Sequence, residues 1–224
     1  TAVVQNPVTL RLEGQVPKLE NLSVPKGLKL IFAESSIEPN IPESTNEFII
    51  TKPDDQGSWH EGRAGMLYRD LIPGRLGGRF IASHISVPVG GPVPDYVHYH
   101  KIRFQMIYCL AGWSRLVYED QGEPFLMKAG DCVLQPPEIR HRVLECSDGF
   151  EVLEIGCPAV HETFAEHEIG LPNAKFDPSR DFGGQCFDHS RASEMAWQAS
   201  KIQGVKTRRT AILEVTNGLA DVET

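Results

Sequence analysis

From Gly62 to Cys157 the chain breaks into short apolar runs rich in Val, Ile, Leu, Phe and Tyr: GMLYRDLI, RFIASHISV, QMIYCL, SRLVYED, PFLMK, DCVLQ, HRVLEC and EVLEIG. Turn-forming residues separate them, among them Pro73-Gly74, Gly77-Gly78, Gly90-Gly91-Pro92, Gln121-Gly122, Ala129-Gly130, Pro136-Pro137 and Ser147-Asp148-Gly149. Gly and Pro supply the backbone angles that tight turns need and interrupt helices. Strand-length runs at this spacing, with no helical stretch between them, predict an all-β, antiparallel sandwich or barrel. The 20 Gly and 16 Pro of the 224 residues agree with many turns and short strands.

The flanks read differently. Residues 1–63 are expected to form an N-terminal arm with short strand-like pieces, VTLRLEG, LKLIFA and EFIIT, between recurrent prolines. Residues 64–160 form the barrel. Residues 161–224 form a C-terminal extension: a polar loop, a short helix over 190–204 that Ser190 caps and Gly204 ends, and a final strand in TAILEVTNGLADV. That last stretch faintly echoes Gly65–Gly78 and raises an incomplete second barrel as an option. Apolar pieces such as LKLIFA and TAILEV need partners, which predicts a homodimer.

The net charge of −8 is concentrated: residues 119–168 carry twelve Asp/Glu against three Lys/Arg. The expectation is a solvated acidic face. This distribution argues against nucleic acid as a partner, and no run of 18 apolar residues suggests a membrane span. The five cysteines include no CxxC pair, and the first residues lack the layout of a secretory signal. A reducing, cytoplasmic setting is the expectation.

Three of the eight histidines are placed like ligands. His98 and His100 flank Tyr99 on an extended segment, and alternate strand residues face the same side. His141 opens a second strand after Pro136-Pro137. Neutral imidazole is a common ligand for divalent first-row metals. The bland reading, an ordinary strand histidine, holds for His84, and His161 and His167 read as surface residues. The near-miss to HExxH at His161-Glu162 puts its second His at 167, off the helical spacing. Lys101 and Arg103 read either as holders of an anionic substrate or as a solvent-facing basic pair. Cys109 and Cys132 read as core thiols, and Tyr108 and Tyr118 as packing.

The spacing around these histidines resembles the two motifs of the cupin superfamily. The first, G(X)5HxH(X)3,4E(X)6G, is matched by HYHKIRFQMIYCLAG, residues 98–112; the second, G(X)5PxG(X)2H(X)3N, by GDCVLQPPEIRHRVLE, residues 130–145. Four positions depart from the pattern. The first glycine is displaced to Gly91, Gln105 replaces the Glu, Glu138 replaces the second motif's Gly, and Glu145 replaces its Asn. The resemblance implies a jelly-roll barrel with a metal near its mouth, held by His98, His100 and His141. A neutral amide is a poorer ligand than a carboxylate, so Gln105 is expected to orient metal-bound water or substrate from beside the metal. Three-His cupins include dioxygenases that cleave diketones or aromatic diols and oxidise thiols. The resemblance therefore implies an enzyme using Fe(II), with Ni, Cu, Mn or Zn as other possible metals, acting on a small-molecule substrate. A non-catalytic binding module and a metal-dependent isomerase or decarboxylase are the competing readings, since a fold alone does not decide activity.

Overall fold

The structure is a computed structural model that describes residues 39–52 and 58–224. The expected strands VTLRLEG and LKLIFA lie outside the described residues. EFIIT lies inside them and forms no strand; Phe48 and Ile50 are exposed. A strand needs a partner ladder, and here only isolated bonds are made, such as Thr51 Oγ1 to the Leu71 carbonyl.

In chain order the strands are β1 (Trp59–Glu61), β2 (Leu67–Asp70), β3 (Ile81–Val87), β4 (Gly91–Pro92), β5 (His98–Lys101), β6 (Phe104–Ala111), β7 (Trp113–Tyr118) and β8 (Phe125–Lys128). They continue with β9 (Cys132–Leu134), β10 (His141–Cys146), β11 (Phe150–Cys157), β12 (Glu162–Ala165), β13 (Asp188–Ser190), β14 (Gln198–Ala199) and β15 (Lys206–Thr207). A seven-stranded sheet runs β1-β2-β3-β11-β6-β9-β13, and a six-stranded sheet runs β12-β5-β10-β7-β8 with β4 paired to β10. Every pair of strands in these sheets is antiparallel. The all-β jelly-roll expectation holds.

Period-two alternation places the core. Ile85, Cys109, Val133, Phe150 and Val152 of the larger sheet meet Leu116, Tyr118, Met127 and Cys146 of the smaller one in a single apolar cluster. Two apolar faces burying one another in this way define a β-sandwich interior. The parity on β10 is corrected by a bulge between Val143 and Glu145. The extra residue keeps both Val143 and Cys146 inside and turns Glu145 outward to Arg115, 3.6 Å away. Gly112, the last glycine of the first motif, has φ +70°, and a Cβ there would collide with the Ser147 hydroxyl. Glu138 stands where the second motif has glycine and keeps the left-handed turn at φ +60°.

The opposite parity builds a second cluster on the outer face of the larger sheet. Phe104, Met106, Cys132, Leu134 and Cys157 pack against Ile212. This corrects two expectations about the C-terminal extension. Residues 191–204 form turns and one side of the β14–β15 hairpin, with no helix, and Ser190 belongs to β13, where it pairs with Cys132. Helix and strand exchange places: Ile212–Val215 is a helical turn. The Thr210 hydroxyl accepts the Ile212 N–H, and the Thr216 hydroxyl donates to the Ile212 carbonyl. These bonds close the turn and set the fully buried Ile212 against the sheet. Tertiary burial overrides the β propensity of Ile and Val here. TAILEV thus finds its partner within the chain, which removes one of the two reasons for expecting a dimer. In the described residues the extension packs on the one barrel: β13 extends the larger sheet, and Phe182 enters the inner cluster.

The acidic stretch is less solvated than expected. Glu119 and Asp120 are buried where β7 ends. Arg180 reaches both at 2.7 and 2.8 Å, and Lys175 bonds Asp120 at 2.8 Å. Together they tie the loop around residues 173–180 to the barrel. Among the described residues no helix is long and apolar enough to cross a membrane.

Candidate metal centre

The three histidines meet through strand register. His98 on β5 is the direct cross-strand partner of His141 on β10, and His100 lies two residues on, on the same side of β5. Their rings stand 4.2 Å (98–141), 5.2 Å (98–100) and 5.3 Å (100–141) apart between centroids. One potential ligand atom from each lies within 4.8 Å of the others.

Hydrogen bonding decides which nitrogen faces the centre. His98 Nδ1 lies 2.9 Å from the Tyr96 carbonyl and His141 Nδ1 lies 2.9 Å from the Ile139 carbonyl. A carbonyl only accepts, so both Nδ1 atoms carry the proton and both Nε2 atoms carry the lone pair. His100 Nδ1 meets the Thr163 hydroxyl of β12 at 2.8 Å, which permits the same tautomer. Anchoring the remote nitrogen in this way orients a ligand ring. His98 is 0% exposed, and its Nε2 has no hydrogen-bond partner. A buried lone pair without a donor costs roughly 1–3 kcal/mol, and a divalent cation among the three imidazoles removes that cost. The donor set therefore fits a divalent metal ion.

The electrostatics agree. Burial, reinforced by His98, His161 and Arg63, pushes His100 down to about 3. His141 is held well below the usual range by burial and by the other two rings. Burial and then Arg63 lower His98, against the opposing Tyr96 carbonyl and Asp95. All three are neutral at physiological pH, the form that binds metal.

Beside the rings lies a cavity of about 60 Å³ inside the barrel, room for roughly four or five waters or a small molecule. It is lined by polar side chains, His100, His141, Gln105, Gln135, Glu154, Tyr68 and Arg63 among them, and by apolar ones such as Ile107, Leu116, Met127 and Val152. Gln105 is 2% exposed and lines the same cavity as His100 and His141. Glu154, diagonal to it across the β6–β11 ladder, lines the cavity too. Burial raises Glu154, against the lowering effects of Arg63 and of the Gln105 amide.

Sequence reasoning missed four groups here. Gln135 takes a 2.6 Å hydrogen bond from Tyr118 and places its amide nitrogen 3.4 Å from His141 Nε2. Glu154 follows Phe150 and Val152 on the inward parity of β11, a signal present in FEVLEIG. Asp95 is buried, accepts the Val143 N–H at 3.0 Å and lies 3.7 Å from both His98 Nδ1 and Arg63 Nη1. Arg63 sits on the segment expected to belong to the arm, where no pattern marks it.

Other sequence candidates sort as follows. His161 is corrected: it is part-buried and stands edge-on to His100 at 5.4 Å. His167 is exposed. His84 lies outside the cavity, bonded to Glu151 at 2.9 Å. Lys101 packs over the Phe164 ring, and neither it nor Arg103 lines the cavity. Cys109 and Cys132 are buried core thiols pushed up to about 12 by burial. Tyr118 packs against His141 and Phe125 and holds Gln135; Tyr108 packs on the outer cluster.

The family model described as "Cupin domain" matches residues 83–155, a stretch that holds all three histidines. That stretch of the chain is a cupin domain. Among solved structures the chain is similar to an RmlC-like cupin from Shewanella frigidimarina, at 21% identity and TM-score 0.41, covering 52% of this chain and 96% of that one. It is also similar to KdgF from Halomonas sp., at 18% identity and TM-score 0.39, covering 51% and 94%. A mutant oxalate decarboxylase from Bacillus subtilis matches at 16% identity and TM-score 0.40, covering 58% of this chain and 34% of that one, so this chain spans about a third of its length. No curated protein matches the chain.

Proposed function

We propose that the protein is a metal-dependent cupin enzyme, an Fe(II) oxygenase acting on a small organic molecule in the barrel cavity. The observation that carries this reading is the partnerless, fully buried Nε2 of His98, converging with His100 and His141 at the edge of a cavity. His98, His100 and His141 would hold the ion, which supplies a Lewis acid and redox centre when bound. Iron is the first choice by resemblance, and Zn, Ni, Cu and Mn share the donor preference. Gln105 orients what binds. Gln135, held by Tyr118, presents its amide group beside His141. The apolar side chains receive the carbon skeleton and keep water out.

Glu154 favours a second reading. A carboxyl in the cavity supports metal-assisted proton transfer, the chemistry of an isomerase or decarboxylase. Metal analysis of the purified protein, then O2 uptake against diketones, catechols and thiols, separates the readings. Uptake with one class supports the oxygenase. Turnover without O2 supports proton transfer, and a metal-loaded protein that turns over nothing is a binding module. A cytoplasmic homodimer without nucleic-acid or membrane partners completes the proposal; a monomeric mass by light scattering would contradict the dimer.

A further inference from the structure

The cavity holds a carboxyl group that the three-histidine centre does not use. Glu154 is, among the described residues, the one acidic side chain lining it. Its position is built in. Inward parity on β11 aims it at the interior, with Gln105 on β6 as its diagonal neighbour across the ladder. The charged and titratable groups facing it are Arg63, Tyr68 and Tyr118, with His100 and His141 across the same space. Burial keeps Tyr68 protonated, reinforced by the charge of Glu154. Nδ1 of each imidazole is already hydrogen-bonded, so the three rings offer no proton acceptor once their Nε2 atoms bind metal.

A ligand that chelates the ion through a hydroxyl oxygen must lose that proton, and inside the barrel it needs a local acceptor. We infer that Glu154 is that acceptor, for a protic, oxygen-chelating molecule such as an enediol, hydroxyketone or diol. The ligand O–H bond breaks, a Glu154 Oε–H bond forms, and the oxygen keeps the electron pair with which it binds the ion. No electron is transferred.

This inference rests on the metal reading, and its test separates the two. The probe is acetohydroxamic acid, a small neutral chelator that binds as its anion, titrated into Zn(II)-loaded protein at pH 7.5. Calorimetry in two buffers of different ionisation enthalpy counts the protons released. With Glu154 as acceptor, wild type releases close to none per bound ligand, and Glu154→Gln, normalised to its own bound zinc, releases one. Release of one proton by wild type overturns the inference even if the variant fails to fold. Equal counts in both proteins overturn it as well. A protein that takes up no Zn(II) fails at the earlier step and overturns the metal reading instead.

Discussion

Thr163 is the most informative position for testing how the centre is held. His98 and His141 are anchored by backbone carbonyls, which no substitution removes, whereas His100 is anchored by a side chain: Nδ1 to Thr163 Oγ1, 2.8 Å, from the neighbouring strand β12. Thr163→Val keeps the shape and the strand pairing and deletes the hydroxyl. A neutral hydrogen bond is worth about 0.5–1.5 kcal/mol, or roughly 2- to 12-fold in an equilibrium constant. Removing the hydrogen-bond partner of a metal-bound imidazole costs about 10- to 100-fold in metal affinity. Thr163 is exposed, so water partly replaces the lost acceptor. Zinc affinity should therefore fall by roughly five- to tenfold. Competition with a chromophoric chelator measures it, and Thr163→Ser should restore most of the loss. Wild-type affinity in Thr163→Val would refute the reasoning, and so would a Ser variant as weak as the Val variant, which would make the methyl group the feature that matters.

Ile212→Ala should cost about 2–5 kcal/mol, because Ile212 is 0% exposed against the outer cluster; a lower urea midpoint with an unchanged slope checks this. Glu138→Gly should stabilise the fold by up to about 1 kcal/mol, since a left-handed non-glycine residue is strained and φ there is +60°. Thermal unfolding reads that gain. Burial alone would raise Asp120, but bonds from Lys175, Asn173 and Arg180 hold it below its ordinary 3.8. Because the folded value is the lower one, its stabilisation is present above about pH 4 and lost as pH falls through the folded value. Asp120→Asn should therefore be less stable than wild type at pH 7, and the gap should close in acid.

Much of the barrel was legible because its interior obeys one period. On β3, β6, β7 and β11 alternate residues, such as Ile85, Cys109, Leu116 and Val152, face the inner cluster, and turn glycines such as Gly112 mark the ends. The histidines were legible because two of them share a strand face and the third follows a Pro-rich turn. Residues whose role depends on distant packing were not. Arg63 and Asp95 lie in short connections without periodicity, and Thr163 supports His100 from 63 residues away. The helical turn at Ile212–Val215 reads as a strand, because Ile and Val favour strands until a buried site on the sheet claims Ile212. Glu154 carried an inward-parity signal after Phe150 and Val152, but the acidic stretch around it reads as a solvated face.

The most direct test is the metal itself. Anaerobic titration of purified protein with Fe(II) at pH 7.5, followed by elemental analysis after desalting, should leave one ion per chain in wild type and little in His98→Ala, His100→Ala or His141→Ala, with circular dichroism showing each variant still folded. Wild type that retains no divalent metal, or three variants that retain as much as wild type, would contradict the account.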